Sequence, residues 1–371
     1  SPKGVAFDQI PELSLEEVTS QVVNGVEQGF SLIVTNFANG DVIGHTANRQ
    51  AKIQAARCVD QQLGLVVDSA LAAGYVVMLT ADHGNLEVLL TQEGQPHVSH
   101  TENPVQFVLL DGRAKEDAEL QEGCLADIAP TILAAMGVPK PVEMSGHSLA
   151  PDYDWGGQRK VLLVILDGWG IGNEDENNPI WLAKTGNWDE IICRYPGSKL
   201  LASGEHVGLQ PGKAGNSEAG HLNIGAGRVV LQDDVRLDSA LTDGSFFTNK
   251  VFLQTFEEVK SRGKNLHLIG LLTEKSSHGS IDYPLALLKM AKIAGLEKVF
   301  LHLIFDGRST EPGSAPALLE KLERQMQEIG VGQIATGIGR GIALDRDGNY
   351  VKIKKAYDAL TTGIGYCAGD C

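Results

Sequence analysis

Several acidic and imidazole side chains of this chain follow short apolar runs, where they could hold metal ions. Asp41 and His45 are four residues apart in NFANGDVIGHT, so they share one face if this segment is helical. Asp82 and His83 follow YVVMLTA, and Asp167 follows KVLLVIL. Carboxylates and imidazoles together suit Zn²⁺ or Mn²⁺. Two such ions can clamp the attacking and leaving oxygens of a phosphoryl group.

The segment HVSHT supplies two further imidazoles, His97 and His100. Any single histidine of the set could be an ordinary loop residue. The combined placement of Asp and His after predicted strands favours a ligand site, because open α/β sheets bind ligands at the carboxyl ends of their strands.

A glycine-rich stretch contains a candidate nucleophile, Ser217, in GNSEAGH. An adjacent metal ion can lower the pKa of a serine hydroxyl and make it a nucleophile. Backbone N–H groups of such a loop can also bind phosphate. The alternative interpretation is a simple turn.

The C-terminal part carries basic residues near predicted strand ends. They are His278, Arg308, Arg340 and Arg346. Arginine forks suit bidentate binding of phosphate or carboxylate. Each arginine could instead form a surface salt bridge.

The elements that must position these residues alternate between short apolar strands and amphipathic helices. This alternation predicts a doubly wound α/β fold with a mostly parallel sheet, followed by a second α/β series. We therefore expect one domain over residues 1–230, with a polar linker at about 151–159, and a second over residues 231–371. Helices are expected at 47–73, 125–136, 251–262, 283–294 and 315–330; strands are expected at 31–35, 75–80, 105–110, 160–166, 266–270, 299–304 and 333–336.

Composition narrows the classes of function. The chain has 371 residues and a net charge of −16, which argues against binding to nucleic acid or to anionic membranes. Its apolar runs are too short for a membrane span. Five scattered cysteines without a CxxC motif, and no visible signal peptide, predict reduced thiols in a cytoplasmic protein.

Long motifs in this chain closely resemble those of the 2,3-bisphosphoglycerate-independent phosphoglycerate mutases, of the alkaline phosphatase superfamily. The motifs are VLLVILDGWG, GNSEAGHLNIGAGRVV, NFANGDVIGHT, TADHGN and HVSHTENPV. The resemblance implies an alkaline-phosphatase-like domain and a transferase domain. It also implies interconversion of 3-phosphoglycerate and 2-phosphoglycerate in glycolysis and gluconeogenesis, through a phosphoserine intermediate.

The resemblance also implies roles for individual residues. Ser217 corresponds to the serine that takes the phosphoryl group. Asp41, His45 and His100 resemble one metal site, and Asp82, His83, Asp167 and Ser217 resemble the other. His97 falls outside the pattern. His278, Arg308, Arg340 and Arg346 fall where the family holds its substrate. Two divalent ions are implied, most often Mn²⁺, with Zn²⁺, Mg²⁺ or Co²⁺ as alternatives, in a monomer that acts on a small phosphorylated substrate.

Three features depart from the family pattern. The motifs occur in circularly permuted order, joined near residues 150–160, and part of the transferase domain has no counterpart. Ser309 follows Arg308 where the family has an aspartate, and KSSHGS and Gly341-Ile342 differ as well. These changes leave open two alternatives. One is a related phosphohydrolase or phosphotransferase for another phosphorylated or phosphonylated small molecule, and the other is a chain that needs a complementing fragment.

Overall fold

The computed structural model describes residues 6–113, 118–276, 278–311 and 313–366, and it divides into two compact units. Unit 1 comprises residues 1–232 and unit 2 comprises residues 233–371. Each unit has its own cluster of buried apolar side chains.

Unit 1 consists of a six-stranded sheet and helices. Its strands are β1 (Leu32–Phe37), β2 (Val76–Thr80), β3 (Val105–Leu110), β4 (Gly123–Cys124), β5 (Val161–Leu166) and β6 (Gly197–Leu201). Its helices are α1 (Leu15–Gln28), α2 (Asn39–Gly44), α3 (Arg49–Ala72), α4 (Ile128–Met136), α5 (Pro179–Ala183), α6 (Gly186–Arg194) and α7 (Ser217–Ala226).

The strand order in unit 1 is β1-β5-β2-β3-β6-β4. β5 lies between β1 and β2 and is parallel to both, whereas β3 is antiparallel to its two neighbours. Every residue of β2 and β5 is buried, as expected for strands covered on both faces. The expected α/β class is therefore confirmed.

The carboxyl ends of β1, β5 and β2 meet at one edge of this sheet because the three strands are parallel. Asp167 follows β5 directly, Asp82 lies two residues after β2, and Asp41 lies in α2, just after β1. Chain positions more than a hundred residues apart are thereby brought to one edge.

The segment 151–159 contains neither helix nor strand, but it is fastened to unit 1. Arg159 donates two hydrogen bonds to the Asp111 carboxylate, at 2.6 and 3.0 Å. The hydroxyl of Tyr153 donates to the same carboxylate at 3.1 Å. This stretch therefore lies against the end of β3, inside unit 1.

Unit 2 is a smaller α/β unit. Its helices are α8 (Asp233–Asp243), α9 (Lys250–Ser261), α10 (Asp282–Ala294), α11 (Ala315–Ile329), α12 (Arg340–Ala343) and α13 (Tyr350–Thr362). Its strands are β7 (Leu266–Leu272), β8 (Lys275–Ser276), β9 (Gly279–Ser280), β10 (Val299–Phe305) and β11 (Gln333–Gly339). The strands β11-β10-β7 form a parallel sheet, and β8 and β9 form a two-stranded hairpin.

The expected elements are present and differ from the observed ones mainly at their ends, whereas α1, α6, α8 and α13 were not predicted. β7 and β11 continue to Leu272 and Gly339, and the first turn of the helix expected from residue 125 is a 3₁₀ turn. Cys58, Cys124 and Cys193 are free thiols, whereas Cys367 and Cys371 lie outside the described residues. Within the described ranges, no helix combines the length and the apolar character needed to cross a membrane.

Candidate metal centre

The predicted ligands of unit 1 converge at the sheet edge. His45 Nε2 and His100 Nε2 lie 3.2 and 3.0 Å from Asp41 Oδ1. His83 Nε2 lies 3.4 Å from Asp167 Oδ1 and 3.6 Å from Asp82 Oδ2. It also lies 3.9 Å from Asp41 Oδ1, so His83 stands between the two predicted sets.

Two close backbone approaches make this convergence possible. A Cβ on Gly40 of α2 would lie 2.4 Å from the carbonyl oxygen of Asp167, and one on Gly220 of α7 would lie 2.6 Å from that of Asp82. Only glycine leaves this space. Both helices can therefore approach the strand ends that carry the aspartates.

Ser217 is the first residue of α7. Asn216 caps this helix, since its side chain accepts a hydrogen bond from the backbone N–H of Ala219 at 2.9 Å. The Oγ atom of Ser217 lies 3.0 Å from His83 Nε2 and 3.3 Å from Asp167 Oδ1. The hydroxyl thus lies within the predicted second set of ligands.

The tautomers of the histidines test whether these residues fit metal ions. The Nδ1 atoms of His45 and His100 lie 2.9 and 2.7 Å from the carbonyl oxygens of Val98 and Gly215. A carbonyl oxygen only accepts, so both Nδ1 atoms carry a proton, and in the neutral imidazoles both Nε2 atoms present lone pairs. These two Nε2 atoms face each other at 3.1 Å beside the Asp41 carboxylate. Because lone pairs repel, such an arrangement fits a shared cation.

The charge balance of the second set also favours cations. Asp82, His83 and Asp167 are buried, and their ligand atoms lie within 4.8 Å of one another. Burial raises the pKa of the Asp167 carboxyl, and the charges of Asp82 and Asp41 raise it further. Burial lowers the pKa of His83, but its contact with Asp167 and the surrounding carboxylates outweigh this and raise it to about 9. The cluster thus favours positive charge.

Two asparagines that the sequence analysis did not single out orient the carboxylates. Asn85 donates to Asp41 Oδ1 at 2.9 Å, and Asn36 donates to Asp167 Oδ2 at 2.8 Å. Burial raises the pKa of Asp41, but the contacts with His100 and Asn85 and the charges of nearby histidines lower it overall to about 2. Asn85 stands in the TADHGN motif, which was the available signal. No sequence pattern singled out Asn36, which lies inside β1.

His221 also belongs to this neighbourhood. Its Nδ1 atom lies 2.8 Å from the carbonyl oxygen of Ser217 and 3.2 Å from Asp82 Oδ2. It lies one helical turn after Ser217, and this i, i+4 spacing in GNSEAGH was the signal for it. His97, by contrast, contributes its backbone: its carbonyl oxygen accepts a hydrogen bond from Lys52 Nζ at 2.6 Å.

The predicted substrate residues lie in unit 2 and are less closely grouped. Arg340 donates to the buried Asp306 carboxylate, whereas His278, Arg308 and Arg346 are exposed. Within the described residues, no hydrogen bond or ion pair joins any two of these four. Arg340 and Asp306 border a cavity of about 300 Å³ at the carboxyl ends of the unit 2 strands.

Comparisons with known proteins match the two units to different models. Residues 1–140 match the model of the Metalloenzyme superfamily. Residues 237–369 match the model described as the N-terminus of the 2,3-bisphosphoglycerate-independent phosphoglycerate mutases. This order is the permuted one, since a model of an N-terminal part matches the C-terminal part of this chain. Neither model covers residues 141–236, where Asp167 and Ser217 lie.

Curated relatives carry the same family name. The chain is 44% identical over 212 residues to the 2,3-bisphosphoglycerate-independent phosphoglycerate mutase of Symbiobacterium thermophilum, which is 57% of this chain and 41% of the relative. It is 44% identical over 210 residues to that of Moorella thermoacetica, with the same shares. The chain is similar to the 2,3-bisphosphoglycerate-independent phosphoglycerate mutases over part of their length. The resemblance seen in the motifs is confirmed, as is the alkaline-phosphatase-like fold class.

The match is nevertheless partial. The chain spans about two fifths of the length of the curated relatives it matches. A solved structure of phosphoglycerate mutase from Leishmania mexicana, at low cobalt concentration, is 30% identical and covers 41% of this chain and 29% of that one. Its TM-score of 0.38 is too low to bear on the fold.

Proposed function

We propose that this chain catalyses the metal-dependent interconversion of 3-phosphoglycerate and 2-phosphoglycerate through a phosphoserine at Ser217. The observation that carries the proposal is the position of Ser217 Oγ, 3.0 Å from His83 Nε2 and 3.3 Å from Asp167 Oδ1. A serine hydroxyl that lies among side chains able to ligate a metal ion is placed to be activated as a nucleophile. The names of the curated relatives support the same reaction.

In this proposal Asp41, His45 and His100 hold one ion, and Asp82, His83, Asp167 and Ser217 hold the other. We expect two Mn²⁺ ions, which when bound lower the pKa of the serine hydroxyl and offset the charge of the phosphoryl oxygens. The tautomers fixed by Val98 and Gly215 keep the Nε2 atoms of His45 and His100 free to act as ligands.

The chain's own residues define the chemical steps. Ser217 Oγ gives up its proton and forms a bond to phosphorus while the ester bond to the glycerate oxygen breaks, and that oxygen takes up a proton, so the proton count is unchanged. The free glycerate reorients, its other hydroxyl attacks the phosphoserine, and Ser217 is regenerated. The N-terminal position of Ser217 in α7 favours this chemistry, because the helix dipole stabilises negative charge there.

The remaining assignments belong to the same proposal. Residues 1–230 would be the metal-binding domain and residues 231–371 the transferase domain. His278, Arg308, Arg340 and Arg346 would bind the glycerate carboxylate or phosphate. The protein would be a cytoplasmic monomer that acts on a small phosphorylated substrate, and it would bind neither nucleic acid nor membranes.

A ³¹P NMR time course with 3-phosphoglycerate tests this function. Purified protein with Mn²⁺ should produce a 2-phosphoglycerate signal, and a chelator should abolish it. Ser217→Ala should remove turnover, whereas Ser20→Ala, at an exposed residue of α1, should retain it. Release of inorganic phosphate without the isomer would favour a phosphohydrolase instead. A folded, metal-loaded protein that leaves 3-phosphoglycerate unchanged would contradict the proposal.

A further inference from the structure

Lys52 of α3 is a charged residue in an unusual place. It is 1% exposed, and its Nζ atom donates a hydrogen bond of 2.6 Å to the carbonyl oxygen of His97. Lysine is almost never fully buried, because desolvating an ammonium group is costly. Burial lowers the pKa of Lys52 to about 8, although the charge of Glu87 opposes this shift. Such a costly placement calls for a reason other than packing.

Glu87 is a buried carboxylate, 2% exposed, whose negative charge acts on Lys52. One of its carboxylate oxygens accepts hydrogen bonds from the Thr101 hydroxyl and from Asn103 Nδ2, the latter at 2.8 Å. The other accepts the backbone N–H groups of Asn85 and Gly170, at 2.8 and 3.2 Å. Glu87 is therefore bonded to the chain at residues 101 and 103.

Lys52 and Glu87 hold opposite ends of one loop, residues 97–103. Lys52 binds the backbone at His97, and Glu87 binds the side chains of Thr101 and Asn103. Between these points the loop carries His100 and the carbonyl oxygen of Val98, which is bonded to His45 Nδ1. Both histidines beside Asp41 thus depend on the path of this loop.

We propose that Lys52 is a positioning residue for the metal site of Asp41, His45 and His100, acting through the backbone of the 97–103 loop. This inference rests on the proposed function, since it concerns the same site. Stability alone does not account for a buried lysine, because apolar replacements of buried charges are often neutral or stabilising. Substitution of a residue that holds a metal ligand in place typically changes metal affinity by about 10- to 100-fold.

Mn²⁺ titration calorimetry and the visible absorption spectrum of the Co²⁺ form test this role. Lys52→Met keeps the apolar stem and removes the charge and the donor. It should weaken one of two binding events by about 10- to 100-fold and alter the Co²⁺ spectrum, while the other binding event is retained. Lys199→Met, at an exposed lysine of β6, is the matched control and should bind like the parent protein.

The outcomes separate this inference from the proposed function. A parent protein that binds no Mn²⁺ would overturn the metal site itself. A parent protein that binds two ions, with a folded Lys52→Met variant of equal affinity and unchanged Co²⁺ spectrum, would overturn only the role of Lys52. If Lys52→Met does not fold, Thr101→Val loosens the other end of the loop without changing any charge. That variant should weaken the same binding event, and unchanged affinity would count against the proposal.

Discussion

Two groups of buried carboxylates differ in their partners, and the partner shows what the charge does. The Asp111 carboxylate is 2% exposed and is held by Arg159 in a two-bond fork. Asp82 and Asp167 have no arginine or lysine against them among the described residues. They face His83 instead, in a group suited to a metal ion. The first arrangement is structural, and the second is a candidate for chemistry.

Asp111→Asn should lower the free energy of unfolding of unit 1 by about 3 kcal/mol at pH 7, since it leaves the Arg159 side chain, which is only 10% exposed, without a counter-charge. Burial raises the pKa of Asp111, but the bonds and charge of Arg159 outweigh this and lower it. A depressed carboxyl pKa stabilises the fold above the unfolded value of about 3.9, and this stabilisation is lost as the pH falls through the folded value.

The difference between Asp111→Asn and the parent protein should therefore shrink below about pH 4. Urea unfolding from pH 7 to pH 3 measures it. Asp152→Asn, at an exposed residue of the same 151–159 segment, is the control and should change little. A constant difference between Asp111→Asn and the parent over this pH range would contradict the assigned ion pair.

At the scale of elements, helix α7 places the candidate nucleophile and lies against the turn that carries Asp82. Its N-terminus is fixed by the Asn216 cap, and Gly220 brings it close to the backbone of that turn. The helix is therefore positioned by one cap and one close approach, both of which substitution can test.

Gly220→Ala should displace α7, because its Cβ would lie 2.6 Å from the Asp82 carbonyl oxygen, which cannot move like a flexible side chain. We expect weaker Mn²⁺ binding in titration calorimetry and lower turnover. Gly225→Ala is the matched control in the same helix, since its Cβ meets nothing within 4 Å. The control should stabilise the protein by up to about 1 kcal/mol. Equal metal affinity in both variants would show that the close approach is not needed.

At the scale of the whole molecule, each unit has its own apolar core, and we expect the two units to unfold in separate cooperative transitions. All four tryptophans, Trp155, Trp169, Trp181 and Trp188, lie in unit 1. Tryptophan fluorescence therefore reports on unit 1, whereas far-ultraviolet circular dichroism reports on both units.

Mn²⁺ should raise the thermal midpoint detected by tryptophan fluorescence, because a ligand of the native state stabilises the body that binds it. At a concentration about 100 times the dissociation constant, the gain is about 2.7 kcal/mol. The second transition in circular dichroism should not move, and a chelator should reverse the shift. If both probes follow one shared transition with and without Mn²⁺, the units do not unfold separately.

The sequence by itself determined the α/β class, the main strands of both sheets, five of the helices and the family resemblance. Continuous apolar runs such as KVLLVIL can be recognised from neighbouring residues alone, and several of the Asp and His residues follow such runs. Only the tertiary structure decided which of these residues meet, because β1, β5 and β2 are adjacent in the sheet but distant in sequence. It also revealed Asn36 and Lys52, whose roles depend on partners 131 and 45 residues away. Local sequence patterns carry no information about such contacts, since the sequence does not show whether a lysine is buried or exposed.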